Sequence, residues 1–341
     1  MSYERFSKNA AFPGKGGAQK LLFFINALSS IYSKPDDMTP NSITPIPPIA
    51  TEGQDARYAD VDIWPVASVL DALMESQMSA IAAVRAAIPE LERAVGSALP
   101  RLLAGGRLFY VGAGTSGRIG MQDGVELLPT FGWEPGRLVL LLAGGNDAVY
   151  QAAEGAEDRE DMARADILAH EPGPDDVVLG IAASGSTPYT CAAIMAARAA
   201  GSLTIGIACN RGGRLLDVAE QGIAVVTGPE VISGSTRLKA GTAQKATLNL
   251  ISTTLMIRMG HAYRGQMVDM RVVNTKLRDR ACRMVRNLTG STEQKAQQAL
   301  AATGFNVKRA VMICSGIPAD QVEALLAAHG GNLRSILAAR Q

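Results

Sequence analysis

Five short runs of nearly uninterrupted apolar residues constrain what this chain can fold into: Leu108 to Val111, Leu138 to Ala143, Val177 to Ala182, Leu203 to Ala208 and Ile223 to Val226. Stretches with helical spacing separate them, near 117–128, 147–169, 188–200 and 212–220. A strand that is apolar on both faces has to be covered on both faces, and parallel neighbours need crossover helices. The chain therefore reads as α/β, a parallel five-stranded sheet with helices on both faces. Ligands of such sheets sit beyond the carboxyl ends of the strands.

Apolar spacings of three and four predict amphipathic helices from Pro65 to Leu103 and a long helix over about 239–260. Residues 1–50 differ from the rest. A short apolar run, LLFFINALSSIYS, precedes the proline-rich PDDMTPNSITPIPPIA, and the segment reads as a poorly ordered extension with Met38 as an alternative start. The run is too short for a membrane span and lacks the basic region and cleavage site of a good secretory signal. Residues 287–341 hold short helical patterns broken by TGF, SGIPAD and HGGN, which suggests a small C-terminal three-helix bundle. The domain reading is an extension over 1–50, the sheet with its N-terminal helices over 51–286, and the bundle over 287–341.

Lys+Arg 33 against Asp+Glu 32 leaves a net charge of +1, which argues against nucleic-acid or acidic-membrane partners. Cys191, Cys209, Cys282 and Cys314 are scattered, as are His170, His261 and His329. That spacing favours neither a disulfide framework nor a metal site, and a reduced, cytoplasmic setting follows.

The first strand runs into GAGTSG, residues 112–117. The string matches a dinucleotide fingerprint, but the acid expected at the end of the second strand is missing from LLLAGGN, where Asp147 is the nearest candidate. Thr115 and Ser116 put hydroxyls in this loop. A second hydroxyl loop, Ala183-Ser184-Gly185-Ser186-Thr187, follows the third strand. Two such loops at neighbouring strand ends can surround one monophosphate with hydroxyl and backbone donors.

The pairing resembles the sugar isomerase domain. With GAGTSGR, VELLPTFG, EGAED at 154–158, GIAASGSTPY at 180–189, SGSTRLKAGTAQK at 233–245 and MVD at 267–269, the chain from about Thr51 onward resembles the N-acetylmuramic acid 6-phosphate etherases. The resemblance implies a carbon–oxygen lyase of cell-wall amino sugar recycling that needs no cofactor. Such an enzyme removes D-lactate from N-acetylmuramic acid 6-phosphate, leaves N-acetylglucosamine 6-phosphate, and works as a homodimer. It also implies two catalytic glutamates, Glu126 and Glu157. Glu126, among apolar neighbours that would keep it protonated, suits the acid on the ether oxygen and later the base for water. Glu157, expected on the second helix, suits abstraction of the C2 proton, and Glu154 one turn away is its rival. Thr115, Ser116, Ser184, Ser186 and Thr187 are the implied phosphate contacts. Ser235, Arg237 and Lys239 would add an anion-binding helix N-terminus and positive charge.

Two departures stand out. The family pattern has SECPPT where this chain has Gly124 to Pro129, and SGRTPY where it has Ser184 to Tyr189. The arginine missing at Ser186 would be offset by Arg118 or Arg237, or ligand binding would weaken. A non-catalytic phosphosugar sensor like glucokinase regulatory protein and a phosphosugar isomerase are the alternatives.

Overall fold

The computed structural model describes residues 50–151 and 153–339, so the expected extension, apart from Ala50, lies outside the described residues. Single 3-10 turns between Ala50 and Ile63 lead into helices α1 (Val66–Ala86) and α2 (Ile88–Leu103). Pro89 sits in the first turn of α2, where its missing N–H has no helical partner to lose. The α/β region runs β1 (Leu108–Gly112), α3 (Gly114–Val125), α4 (Leu127–Phe131), β2 (Leu138–Leu142), α5 (Glu160–Leu168), β3 (Val177–Ala182) and α6 (Pro188–Ala199). It continues through β4 (Leu203–Ala208), α7 (Arg214–Val218), β5 (Gln221–Ala224) and α8 (Lys239–Arg258). The sheet is parallel throughout, in the order β2-β1-β3-β4-β5.

Alternate strand residues serve opposite layers. Leu108, Tyr110, Leu179, Ile181, Ile205 and Ile207 pack under α1, α2 and α8, against Val84, Leu91, Leu102, Leu248 and Ile251. Phe109, Val111 and Val178 pack on the other side against Ile167 of α5, Ile194 of α6 and Leu215 of α7. Each fully buried Leu or Ile contributes about 1.5–3 kcal/mol. These two layers carry the fold and leave the strand-end loops free for chemistry.

Two expected helices come out differently. The one over 147–169 is replaced by 3-10 turns at Asn146–Val149 and Ala156–Asp158, followed by α5. Gly155 between them is left-handed, with φ 68°, which a continuing helix cannot accommodate. The helix over 117–128 starts earlier, at Gly114, and breaks at Glu126. Pro129 explains the break, because it has no N–H for the Val125 carbonyl one turn back.

The start of α3 lies directly on the end of β1. A Cβ on Gly117 would come within 2.7 Å of the Gly112 carbonyl oxygen and 2.4 Å of Leu142 Cδ1. Only glycine lets the helix turn back this tightly.

After α8 come α9 (Thr275–Thr289), α10 (Glu293–Ala302), α11 (Val307–Cys314), α12 (Val322–Ala328) and α13 (Leu333–Ala338). They share a second core with Tyr263, Val268 and Met270. Asp269 in that segment accepts from His261 at 2.9 Å and pairs with Lys308. The Arg271 N–H donates to the Pro129 carbonyl at 3.1 Å, tying the segment to α4.

One face of α1 is apolar yet open. Leu70, Met74, Met78 and Ile81 are 51–62% exposed at helical spacing. Ile81 and Ile88 join Leu250 and Ile257 of α8 around a groove of about 630 Å³. Among the described residues no helix is long and apolar enough to cross a membrane.

Candidate active site

Most of GAGTSG is helix rather than loop. Thr115 and Ser116 occupy the first turn of α3, and Ala113 at its N-cap offers no side-chain acceptor. The first N–H groups of a 12-residue helix therefore face the strand end without a side-chain cap. Ser116 is 8% exposed, and its Oγ accepts a hydrogen bond from Gln244 Nε2 of α8 at 3.0 Å.

The second loop lies beside the first because β1 and β3 are neighbours, with Gly112 opposite Ile181. Ser184 Oγ accepts from the Ser186 N–H at 3.1 Å, which folds the loop on itself. Gly185 has φ +75°, and a Cβ on the facing Gly213 would sit 2.7 Å from its Cα. Thr187 is the N-cap of α6 and makes no side-chain cap. Ser184 and Thr187 are half-buried and Ser186 is exposed.

The third segment, Ser235 to Lys239, reaches the same place. Ala240 packs with Ala183 and Cys209, and a Cβ on Gly241 would lie 3.8 Å from Thr115 Cγ2. The expected anion site at the start of α8 is filled by the chain itself, however. The Glu230 carboxylate, 1% exposed, accepts from the Lys239 N–H at 3.1 Å and the Ala240 N–H at 2.9 Å. Burial lowers the pKa of the Lys239 amine, and the Glu230 charge opposes that shift. Arg237 is exposed and Ser235 half-buried.

The Arg118 fork goes to backbone carbonyls. Its Nε donates to Ala148 at 2.9 Å and Val149 at 3.2 Å, and a terminal nitrogen donates to Gln151 at 3.2 Å. These bonds commit two of the three guanidinium nitrogens of a residue expected to be a balancing charge, and they brace the loop after β2, which leads to the turn bearing Glu157. Arg237 and Lys239 are the remaining cations among the expected site residues.

The two glutamates lie on separate segments. Glu157 is exposed on the Ala156–Asp158 turn, after the strand next to β1. Glu154, no longer one helical turn away, lines a cavity of about 590 Å³ with Gly144, Arg159, Asp166 and Tyr189. The Tyr189 hydroxyl donates to Asp166 at 2.6 Å. Glu126, between α3 and α4, is exposed, so the apolar enclosure expected around it is not supplied by its own chain. Ten residues of helical rise separate it from Ser116, about 15 Å.

Local patterns missed several residues. Asp123, 2% exposed on α3, accepts from the Tyr110 hydroxyl at 2.8 Å and from the Asn249 amide. Burial, then the Asp123 charge, push the Tyr110 pKa well up, so it stays a donor. Asn210, after β4, ties the second loop to the chain's early segment. Its Nδ2 donates to Ala183 O and Thr51 Oγ1, both at 2.9 Å, while its Oδ1 accepts from the Thr51 N–H at 3.1 Å. Its place at a strand end was the one available signal.

Comparison with known proteins bears on this arrangement. A family model described as the glucokinase regulatory protein N-terminal SIS domain matches residues 90–198. An N-acetylmuramic acid 6-phosphate etherase of Deinococcus radiodurans is 49% identical over 85% of this chain and 95% of its own length. The chain belongs to the N-acetylmuramic acid 6-phosphate etherase family. Etherases of Streptomyces coelicolor and Cronobacter sakazakii are each 44% identical over 85% of this chain, covering 94% and 98% of their own lengths. Among solved structures, a phosphoheptose isomerase from Francisella tularensis is 21% identical over 57% of this chain and 97% of its own, with a TM-score of 0.42. Ser186 is exposed in the second loop.

Proposed function

We propose that the two hydroxyl loops hold the 6-phosphate of N-acetylmuramic acid 6-phosphate. The chain is an etherase, a carbon–oxygen lyase that gives N-acetylglucosamine 6-phosphate and D-lactate. The observation that carries the site assignment is the convergence of Thr115 and Ser116 with Ser184, Ser186 and Thr187 at the ends of adjacent strands. Arg237 and Lys239 serve the negative charge of the phosphate or the lactyl carboxylate.

In the open-chain aldehyde the carbonyl acidifies the C2 proton. Glu157 takes that proton, the C3–O bond breaks with its electron pair on oxygen, and Glu126 protonates the oxygen as lactate departs. The C2–C3 double bond that remains then takes up water, with hydroxyl at C3 and hydrogen at C2, and Glu126 as the base. A second assignment, favoured by the cavity it lines, makes Glu154 the base instead.

The distance of about 15 Å along α3 argues that Ser116 and Glu126 serving one substrate come from two copies of the chain. A homodimer through the open apolar face of α1 and α8 would supply the second copy and the missing enclosure of Glu126. The substrate places the enzyme in the cytoplasm, in peptidoglycan recycling.

D-lactate release from N-acetylmuramic acid 6-phosphate tests the reading, with Glu126→Gln as control. Equal release by both proteins removes Glu126 from the mechanism. Binding of the substrate without turnover by the unmutated chain overturns the enzyme reading.

A further inference from the structure

The Ser116 hydroxyl has one proton and two acceptor lone pairs. Gln244 Nε2 donates to it from the buried side at 3.0 Å, and Gln244 is itself 1% exposed. With an N–H already directed at its oxygen, the serine proton has to point away from Gln244. Among the described residues its Oγ donates to no other group. The open side is the strand end, where Thr115 and the Ser184 loop lie.

Gln244 Oε1 is buried and makes no hydrogen bond. Turning the amide over would let that oxygen accept the serine proton and leave both N–H groups unpaired, whereas the amide as placed leaves the oxygen and one N–H unpaired. In the arrangement found, Nε2 is the atom that faces Ser116. This arrangement polarises the serine O–H, because a hydroxyl that accepts a hydrogen bond becomes a better donor.

We propose that Gln244 is a positioning residue which holds Ser116 as a hydrogen-bond donor to the substrate's phosphate. The inference rests on the assignment of Ser116 to that phosphate. It predicts that the amide acts through binding of the phosphate and leaves the elimination chemistry, at the other end of the sugar, unchanged.

The test compares Gln244→Glu, Gln244→Met, Ser116→Ala and the double variant Ser116→Ala/Gln244→Met in the full-length enzyme. KM and kcat for D-lactate release are read together with competitive inhibition by inorganic phosphate. Glutamate keeps the shape but accepts the serine proton, turning the hydroxyl inward; methionine keeps the volume and stays informative if the buried acid prevents folding. Either Gln244 variant is expected to raise KM and the phosphate inhibition constant by about 10-fold, the size of one charge-assisted hydrogen bond, with kcat within about twofold. The double variant is expected to be no worse than Ser116→Ala alone. If Ser116→Ala raises KM and Gln244→Met does not, the Gln244 role is wrong and the phosphate assignment stands. If Ser116→Ala leaves KM unchanged, the assignment beneath it is wrong. A fall in kcat at constant KM in Gln244→Met would mark a structural role and overturn the proposal.

Discussion

The Glu230 carboxylate closes the N-terminus of α8 at Lys239, accepting that residue's backbone N–H at 3.1 Å where an external anion would otherwise be bound. Both groups are buried. Removing the carboxylate leaves the Lys239 and Ala240 N–H groups without their partner. Glu230→Ala is therefore expected to lower stability by about 2–4 kcal/mol, read from urea denaturation. A loss under 0.5 kcal/mol would mean that water replaces the cap.

Arg118 braces three carbonyls between Ala148 and Gln151, a task for a planar fork. Arg118→Lys and Arg118→Ala should both lower kcat on the order of 10- to 100-fold, because the loop they release leads to the turn with the candidate base. Lysine restoring full kcat would show that only the charge matters.

The separation of Ser116 from Glu126 along α3 makes a sharper prediction. Ser116→Asp, which repels the phosphate, and Glu126→Gln should each abolish activity. Subunits of the two variants, unfolded and refolded together, should regain about a quarter of wild-type activity, since half the dimers then hold one intact shared site. No recovery despite mixed dimers detected by mass spectrometry would put each site within one chain.

Asp176 is the acid-sensitive anchor beneath β1 and β3. It accepts from the Arg107 backbone N–H at 2.8 Å, an Arg107 guanidinium nitrogen at 2.7 Å and the Gly173 N–H at 2.9 Å. Burial alone would raise its pKa, but the hydrogen bonds and charge of Arg107 outweigh burial, and the folded-state pKa lies below the ordinary 3.8. A carboxyl whose pKa is depressed on folding stabilises above its unfolded pKa, and that stability is lost as pH falls through the folded value. Asp176→Asn should be less stable than wild type by about 2 kcal/mol at pH 7, with the gap closing below pH 3.8. A gap independent of pH would contradict the assignment.

The sheet was legible because its inner strands β1, β3 and β4 are buried throughout and so read as apolar runs. At one edge β5 shifted to Gln221–Ala224. The hydroxyl loops were legible for a related reason, since glycine and serine at strand ends signal a tight approach. What the sequence concealed depended on distance. Thr51 meets Asn210 across 159 positions, and Gln244 meets Ser116 across 128. Glu230 belongs to no local motif that marks it as a cap. Glu126 reads as one residue of an apolar helix, and Pro129 turns it into the joint between two.

Helix α3 begins with the Thr115 and Ser116 hydroxyls, carries Arg118 on its second turn and Asp123 on its inner side, and ends at Glu126. An inserted or deleted residue anywhere along it would rotate everything downstream by about 100° and shift it by about 1.5 Å. Variation in this stretch should therefore be confined to exchanges of side chain, and its length should behave as an invariant of the catalyst.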